Sequence, residues 1–192
     1  MKRLLLAAAF GLATTTVALA EPVTYAFDKT HTVIRGSWDH QGFSTMSIEM
    51  TDYEGSLVLD VETPSNSTVD ITFNLIDGFW VGANQDRFIG HLNSPDLFNT
   101  AENPTARFVG TEFVSETDTT GVMTGDLTMN GQTHPVSLNV TLNRSNTNDD
   151  GVTKLGFTAT GTLTRSQWGL GYAAPWVSDE IELFISTEVV SQ

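Results

Sequence analysis

The stretch DLTMNGQTHPVSLNV, residues 126–140, holds two alternating runs on either side of Asn130-Gly131. Asn-Gly between such runs marks a two-residue hairpin, because both central residues of a type I′ turn need positive φ and these two tolerate it. Counting back from the turn sets Met129 opposite Gln132 and Leu127 opposite His134. One face then carries Leu127, Met129, Val136, Leu138 and Val140, with His134 among them. Thr128, Thr133, Ser137, Asn139 and Thr141 fall on the other. This strand pair is buried on one side, which raises the question of what its apolar face meets.

Similar alternation recurs at 31–40, 43–51, 55–62, 68–76, 105–114, 121–129, 134–143, 153–164 and 180–190. These runs are rich in Thr, Val, Ile and Phe and are separated by turn residues, as at 52–55, 64–67 and 146–151. They predict an all-β fold, an antiparallel barrel of about eight main strands or a sandwich. One insertion breaks the rhythm: GFWVGANQDRFIGHLNSPDLFNTAEN, residues 78–103. It is too long to lack structure in a compact domain. Residues 84–92 predict about two helical turns, and Ser94-Pro95 predicts an N-cap and first helical residue for a second short turn through Phe98. The segment 84–99 is therefore expected to be a short helical cap over one end of the barrel.

Period-two counting assigns the inner face strand by strand. Ile34, Gly36, Trp38 and His40 share one side of the first run, and Ile48 and Met50 one side of the next. Leu57, Leu59 and Val61 follow, then Val69, Ile71, Phe73 and Leu75. Ala106, Phe108 and Gly110 come next, then Met123, Gly125, Leu127 and Met129. The last two runs offer Leu155, Phe157, Ala159, Gly161 and Leu163, then Ile181, Leu183 and Ile185. An eight-stranded barrel with such a wall is either filled by its own side chains or holds one small ligand. Gly36, Ala106, Gly110, Gly125, Ala159 and Gly161 stand among the large inward residues. Small residues there bend strands or leave volume unfilled, which favours a cavity.

The chain opens MKRLLLAAAFGLATTTVALA, two cations and an apolar run ending in an A-x-A arrangement at Ala18 and Ala20. This predicts a cleaved signal peptide over residues 1–20, an exported domain over 21–192 starting at Glu21, and a periplasmic location. Nothing later in the chain resembles a membrane span, so no stable membrane insertion is expected. The absence of cysteine excludes disulfides, thiolate metal sites and a lipid-modified cysteine. The net charge of −14 becomes more negative still once Lys2 and Arg3 leave with the leader. Such a surface repels phosphate backbones and anionic headgroups, which argues against nucleic acid and electrostatic membrane docking.

No catalytic fingerprint and no nucleophile with an identifiable base is present, so the chain is not expected to be an enzyme and no cofactor is implied. His31 and His40 are nine residues apart, which on one uninterrupted strand points them to opposite faces, and no metal-ligand spacing is found. Arg87 and His91 lie at i and i+4 on the predicted helix and can share a face, which makes them the plausible headgroup contacts.

YAFDKTHTVIRGSWDHQGFSTM, GHLNSPDLFNTAENPTARFVG, GDLTMNGQTHPVSLNV, GFTATGTLTRSQWGL and VSDEIELFISTEVV, in that order, resemble the YceI-like family of periplasmic lipid- or polyisoprenoid-binding proteins across nearly the whole exported chain. The resemblance implies an extended antiparallel barrel of lipocalin-like shape holding a long amphiphile: a polyisoprenoid, an isoprenoid quinone or a fatty amide. It adds weight to His31, His40, Arg87, His91 and Arg165 as motif positions. Gly36 stands where a bulky residue is common, and His134 where many relatives carry lysine. Together these readings predict a carrier whose ligand touches Ile34, Trp38, His40, Ile48 and Phe73 on the first half of the chain. On the second half it touches Phe108, Leu127, Met129, Phe157 and Leu183, with Arg87 and His91 at its headgroup. No metal is expected, the partner is a hydrophobic small molecule, and the chain is a monomer or homodimer. The rival readings are a packed barrel serving as an interaction or stress module, and a metal protein or enzyme acting at His31, His40 or His91.

Overall fold

Two of the barrel's long strands are broken in the middle. The first is split into β1 (Val23–Phe27) and β2 (Val33–His40) by a 3-10 turn at Lys29–His31, the second into β3 (Ser44–Met50) and β4 (Tyr53–Leu59). The computed structural model describes residues 21–83 and 85–192; the expected leader and a helix start at Asn84 lie outside the described residues. After β4 come β5 (Thr68–Asn74), the two-residue β6 (Phe79–Trp80) and a helix, α1 (Gln85–Leu92). The chain then runs through β7 (Thr105–Ser115), β8 (Thr120–Met129), β9 (Gln132–Thr147), β10 (Thr153–Thr164) and β11 (Glu180–Ser191).

All strand pairs are antiparallel, in the order β1-β4-β5-β7-β8-β9-β10-β11, and β11 returns to β1 through Tyr25–Phe27 against Val189–Ser191. That closes an eight-stranded barrel, as expected. Further along the same edge of β11, Glu182–Ser186 pair with β2, which carries β3 and then β6. At the β1 end the ladder is continuous. At the other end α1, the Asn130-Gly131 hairpin and the β10–β11 loop gather, and this is the mouth.

The hairpin forms in the expected register, with Met129 opposite Gln132 and Leu127 opposite His134. Asn130 and Gly131 have φ of 49° and 70°. The Asn130 side chain also donates to the Trp168 carbonyl at 2.9 Å and accepts from Asn103 at 3.1 Å, tying the turn to the β10–β11 loop and to the end of the cap. Gly131→Val is expected to destabilise the fold by roughly 1–3 kcal/mol, because a β-branched residue strains at positive φ. Unchanged thermal stability would contradict this.

Several local expectations are corrected. β1 was not anticipated, since it is only five residues long and follows Pro22. His31 belongs to no strand. Asp28 caps its 3-10 turn by accepting from the Thr30 N–H, so the nine-residue spacing to His40 carries no face information. Val61 is 66% exposed, not inward, because β4 ends at Leu59 and the Asp60 carboxylate accepts from the N–H groups of Glu62 and Thr63, turning the chain outward. Ser94 does not open a second helix. Its backbone N–H and its hydroxyl both donate to the His91 carbonyl, at 3.1 and 2.7 Å, closing α1, and the chain after it makes a hydrogen-bonded turn.

The inner side chains divide into two clusters. One gathers Leu75, Phe79, Phe98 and Trp168 towards the mouth, with Phe79 stacked on Phe98 at 5.4 Å. The other, Tyr25, Leu155 and Val189, seals the far end.

Candidate ligand-binding lumen

Between the two clusters lies a cavity of about 1050 Å³, at the upper end of the ~300–1,000 Å³ typical of small-molecule pockets. Its floor is Val189 of the far-end cluster with Phe27, Leu57, Leu59 and Phe157, which pack on that cluster. Its mouth is marked by lining residues that are themselves exposed: His40, Gln41, Arg87, His91 and Tyr172.

The structure brings the sequence-predicted residues together around this space. Ile34, Trp38, His40 and Ile48 line it from β2 and β3, Phe73 from β5 and Phe108 from β7. Leu127 and Met129 line it from β8, Phe157 from β10 and Leu183 from β11. From α1, Phe88 packs on Trp38 with ring centres 6.2 Å apart, while Arg87 and His91 reach the rim. The His91 ring meets Tyr172 edge-on at 5.4 Å.

Of the small inward residues, Gly36, Ala106 and Ala159 border the cavity, but the glycines contribute little of its volume. A Cβ at Gly125 would collide with the Phe108 ring, and one at Gly161 would lie 2.6 Å from the Ser137 carbonyl oxygen. A Cβ at Gly36 would press on Ile181 at 3.1 Å. These glycines let neighbouring groups pack close, and leave little volume of their own. The cavity arises from barrel size, since eight strands enclose more than their inward side chains fill here.

Some lining residues escaped sequence reading. A bulge between Gly110 and Glu112 inserts one residue in β7, reverses its parity and puts Phe113 on the wall. Phe27 follows from β1, which was not foreseen. Leu170 and Tyr172 come from the β10–β11 loop, where no periodicity exists to read; apolar side chains in a loop were the available signal.

Arg165 is a scaffold residue. Its guanidinium donates to the carbonyls of Ser178 and Val177 at 2.9 Å and to that of Leu170, pinning the β10–β11 loop, and burial pushes its pKa below the usual arginine value. His134 meets Trp168 edge-on at 5.1 Å, with Nε2 buried and without a hydrogen-bond partner, and it does not line the lumen. His31 lies outside the barrel, its Nδ1 2.8 Å from Asp28 and 3.9 Å from Glu188. Hydrogen bonds from Thr30 and His31 hold the Asp28 carboxyl at about 2. The three could bracket a metal ion, but Lys154 already supplies positive charge there, 2.7 Å from Glu188.

Comparison with known proteins places this architecture. A model of the YceI-like domain matches residues 25–189. The chain belongs to the YceI-like family. A UPF0312 protein of Pseudomonas aeruginosa is 32% identical over 194 residues, covering 100% of both chains. The crystal structure of Burkholderia cenocepacia BcnA superposes with a TM-score of 0.74 at 16% identity, covering 84% of this chain and 98% of that one. A polyisoprenoid-binding domain from Saccharophagus degradans superposes with a TM-score of 0.61 at 12% identity, covering 88% of this chain and 99% of that one. Both superpositions lie below 25% identity and show a shared fold. No helix among the described residues is long and apolar enough to cross a membrane.

Proposed function

We propose that this YceI-like chain is an exported, periplasmic carrier that sequesters one long isoprenoid-like amphiphile: a polyisoprenoid, an isoprenoid quinone or a fatty amide. The observation that carries this is the lumen, lined predominantly by apolar side chains, with His40, Arg87 and His91 at its rim. The tail enters first and the head rests at the rim. Burial contributes ~0.8 kcal/mol per methylene, so each five-carbon unit adds on the order of 4 kcal/mol before ordering costs. A handful of such units outweighs the ~4–15 kcal/mol lost on association. Specificity for the tail therefore comes from length and shape, and orientation from the few polar groups at the mouth. The polyisoprenoid-binding neighbour supports the ligand class, and the leader-like first residues support export. An open lumen of this size speaks against a barrel packed solid as an interaction module.

Solvent extraction of protein purified from cells, followed by mass spectrometry, is expected to release a long-tailed hydrophobe in near-stoichiometric amount. Intact mass of the same sample is expected to show a chain starting at Glu21. A parent that yields no hydrophobe, and takes up none from a mixture of isoprenoid quinones and fatty amides, overturns the ligand. A retained Met1 overturns export.

A further inference from the structure

Among the described residues, Phe43 and Trp176 are the most exposed large apolar side chains, at 87% and 75%. They are far apart in sequence yet adjacent in space. Phe43 sits at the tip of the β2–β3 hairpin, where Gln41 and Gly42 take positive φ. Trp176 lies in the β10–β11 loop. The two loops are joined by a bridge between His40 and Val177 and by the Ser178 N–H donating to the Asp39 carbonyl at 3.0 Å. With Pro175, the two aromatic side chains flank a shallow cleft over Asp39 and Gln41.

Gln41 also lines the lumen, as do Tyr172, Ala173 and Val177 of the same loop. Half-exposed Tyr172 thus continues the aromatic surface into the mouth. We infer that this Phe43–Trp176 lip docks the mouth on the headgroup–acyl boundary of an uncharged or zwitterionic bilayer, so that the lipid passes from membrane to lumen without crossing water. The inference rests on the proposed ligand being a lipid.

Three observations favour a bilayer over a second copy of the chain. Trp, Tyr and Phe at protruding tips suit the interfacial zone, where an apolar ring meets a hydrated layer. Their combined surface, on the order of 500 Å², falls short of the ~800 Å² per partner of a stable protein interface. The net charge of −14 repels another copy and anionic lipid alike, which selects a bilayer without anionic excess.

The test compares the full chain with the double variant Phe43→Ser/Trp176→Ser. Flotation is measured with phosphatidylcholine vesicles and with vesicles enriched in phosphatidylglycerol, at low salt. Transfer of an isoprenoid quinone is measured from phosphatidylcholine vesicles and, separately, from detergent micelles. The parent is expected to float with phosphatidylcholine and less with the anionic vesicles. The double variant is expected to lose flotation and to take up quinone from vesicles about tenfold more slowly, while its final loading from micelles matches the parent. Equal transfer rates from vesicles, or a parent that does not float, overturn the lip. So does concentration-dependent self-association lost in the double variant while vesicle flotation persists, since the patch would then join two copies. A parent that loads no quinone from micelles counts against the proposed ligand instead, and flotation that depends on Phe43 and Trp176 still supports the lip.

Discussion

Ala159→Trp is expected to empty the lumen of long-tailed ligand while leaving the barrel folded. Ala159 faces the cavity from β10, flanked by Val140 of β9 and Ile185 of β11. It stands one inward position above Phe157 at the floor and two below Leu163 nearer the mouth, in a lumen wall spanning ~20 Å at ~3.3 Å per residue. An indole projecting from there meets empty volume rather than packed atoms, so the cost stays at or below the ~1–3 kcal/mol of overpacking. It divides the lumen in two. Retention of eight-unit isoprenoid tails should fall by tenfold or more, the equivalent of at least ~1.4 kcal/mol, while short prenyl chains that reach only the part above residue 159 still bind. Extraction and mass spectrometry of parent and variant, after circular dichroism shows intact strands, reads both outcomes. Equal occupancy by the same long tail would mean that the tail never passes residue 159, and the floor defined by Phe157 and Val189 would lose its role.

Trp168→Ala is expected to cause the largest loss of stability, about 3–5 kcal/mol, or a fall in Tm on the order of 10 °C for a chain of this size. Trp168 is only 1% exposed and belongs to the cluster nearest the mouth. Its indole N–H donates to the Leu127 carbonyl at 2.9 Å, and its own carbonyl accepts from Asn130 at 2.9 Å. Truncation therefore opens a void and removes the indole hydrogen bond to the Leu127 carbonyl, behind the wall that Leu127 and Met129 form. Trp168→Phe keeps most of the packing and loses the indole hydrogen bond, so it should cost roughly 1–2 kcal/mol. Denaturant titration of both variants checks the ordering. A loss below ~1 kcal/mol for Trp168→Ala would show that the β10–β11 loop is not anchored through this side chain.

The lip and the lumen give one coherent route for a lipid. The aromatic tips face outward, the rim carries the polar side chains of His40, Arg87 and His91, and the wall beyond is predominantly apolar. Arg165 borders the cavity, but its guanidinium is occupied by three carbonyls of the loop that presents Tyr172 and Trp176. A buried cation satisfied in this way holds a loop in one conformation, and here that conformation sets the position of half the mouth.

The sequence by itself determined the class of fold, the hairpin at Asn130-Gly131 and most of the inner wall. Period-two alternation is a local property: a residue's side of a strand follows from its neighbours, and a turn that needs two positive φ values fixes the register of both flanking strands. The same locality explains the errors. Parity failed at Phe113, because the bulge after Gly110 is a property of two paired strands and not of either alone. His31 was misplaced because Asp28 captures a turn that interrupts the alternating run. Only the tertiary structure decided whether the barrel is hollow, since the glycines read as empty space are filled by Phe108, Ile181 and the backbone of β9. Only it brought Phe43 and Trp176, which no spacing in the chain connects, to one edge of the mouth. Closure of a barrel joins residues by strand order around a ring, and that order is set by long-range pairing whose free energy is shared across the whole sheet.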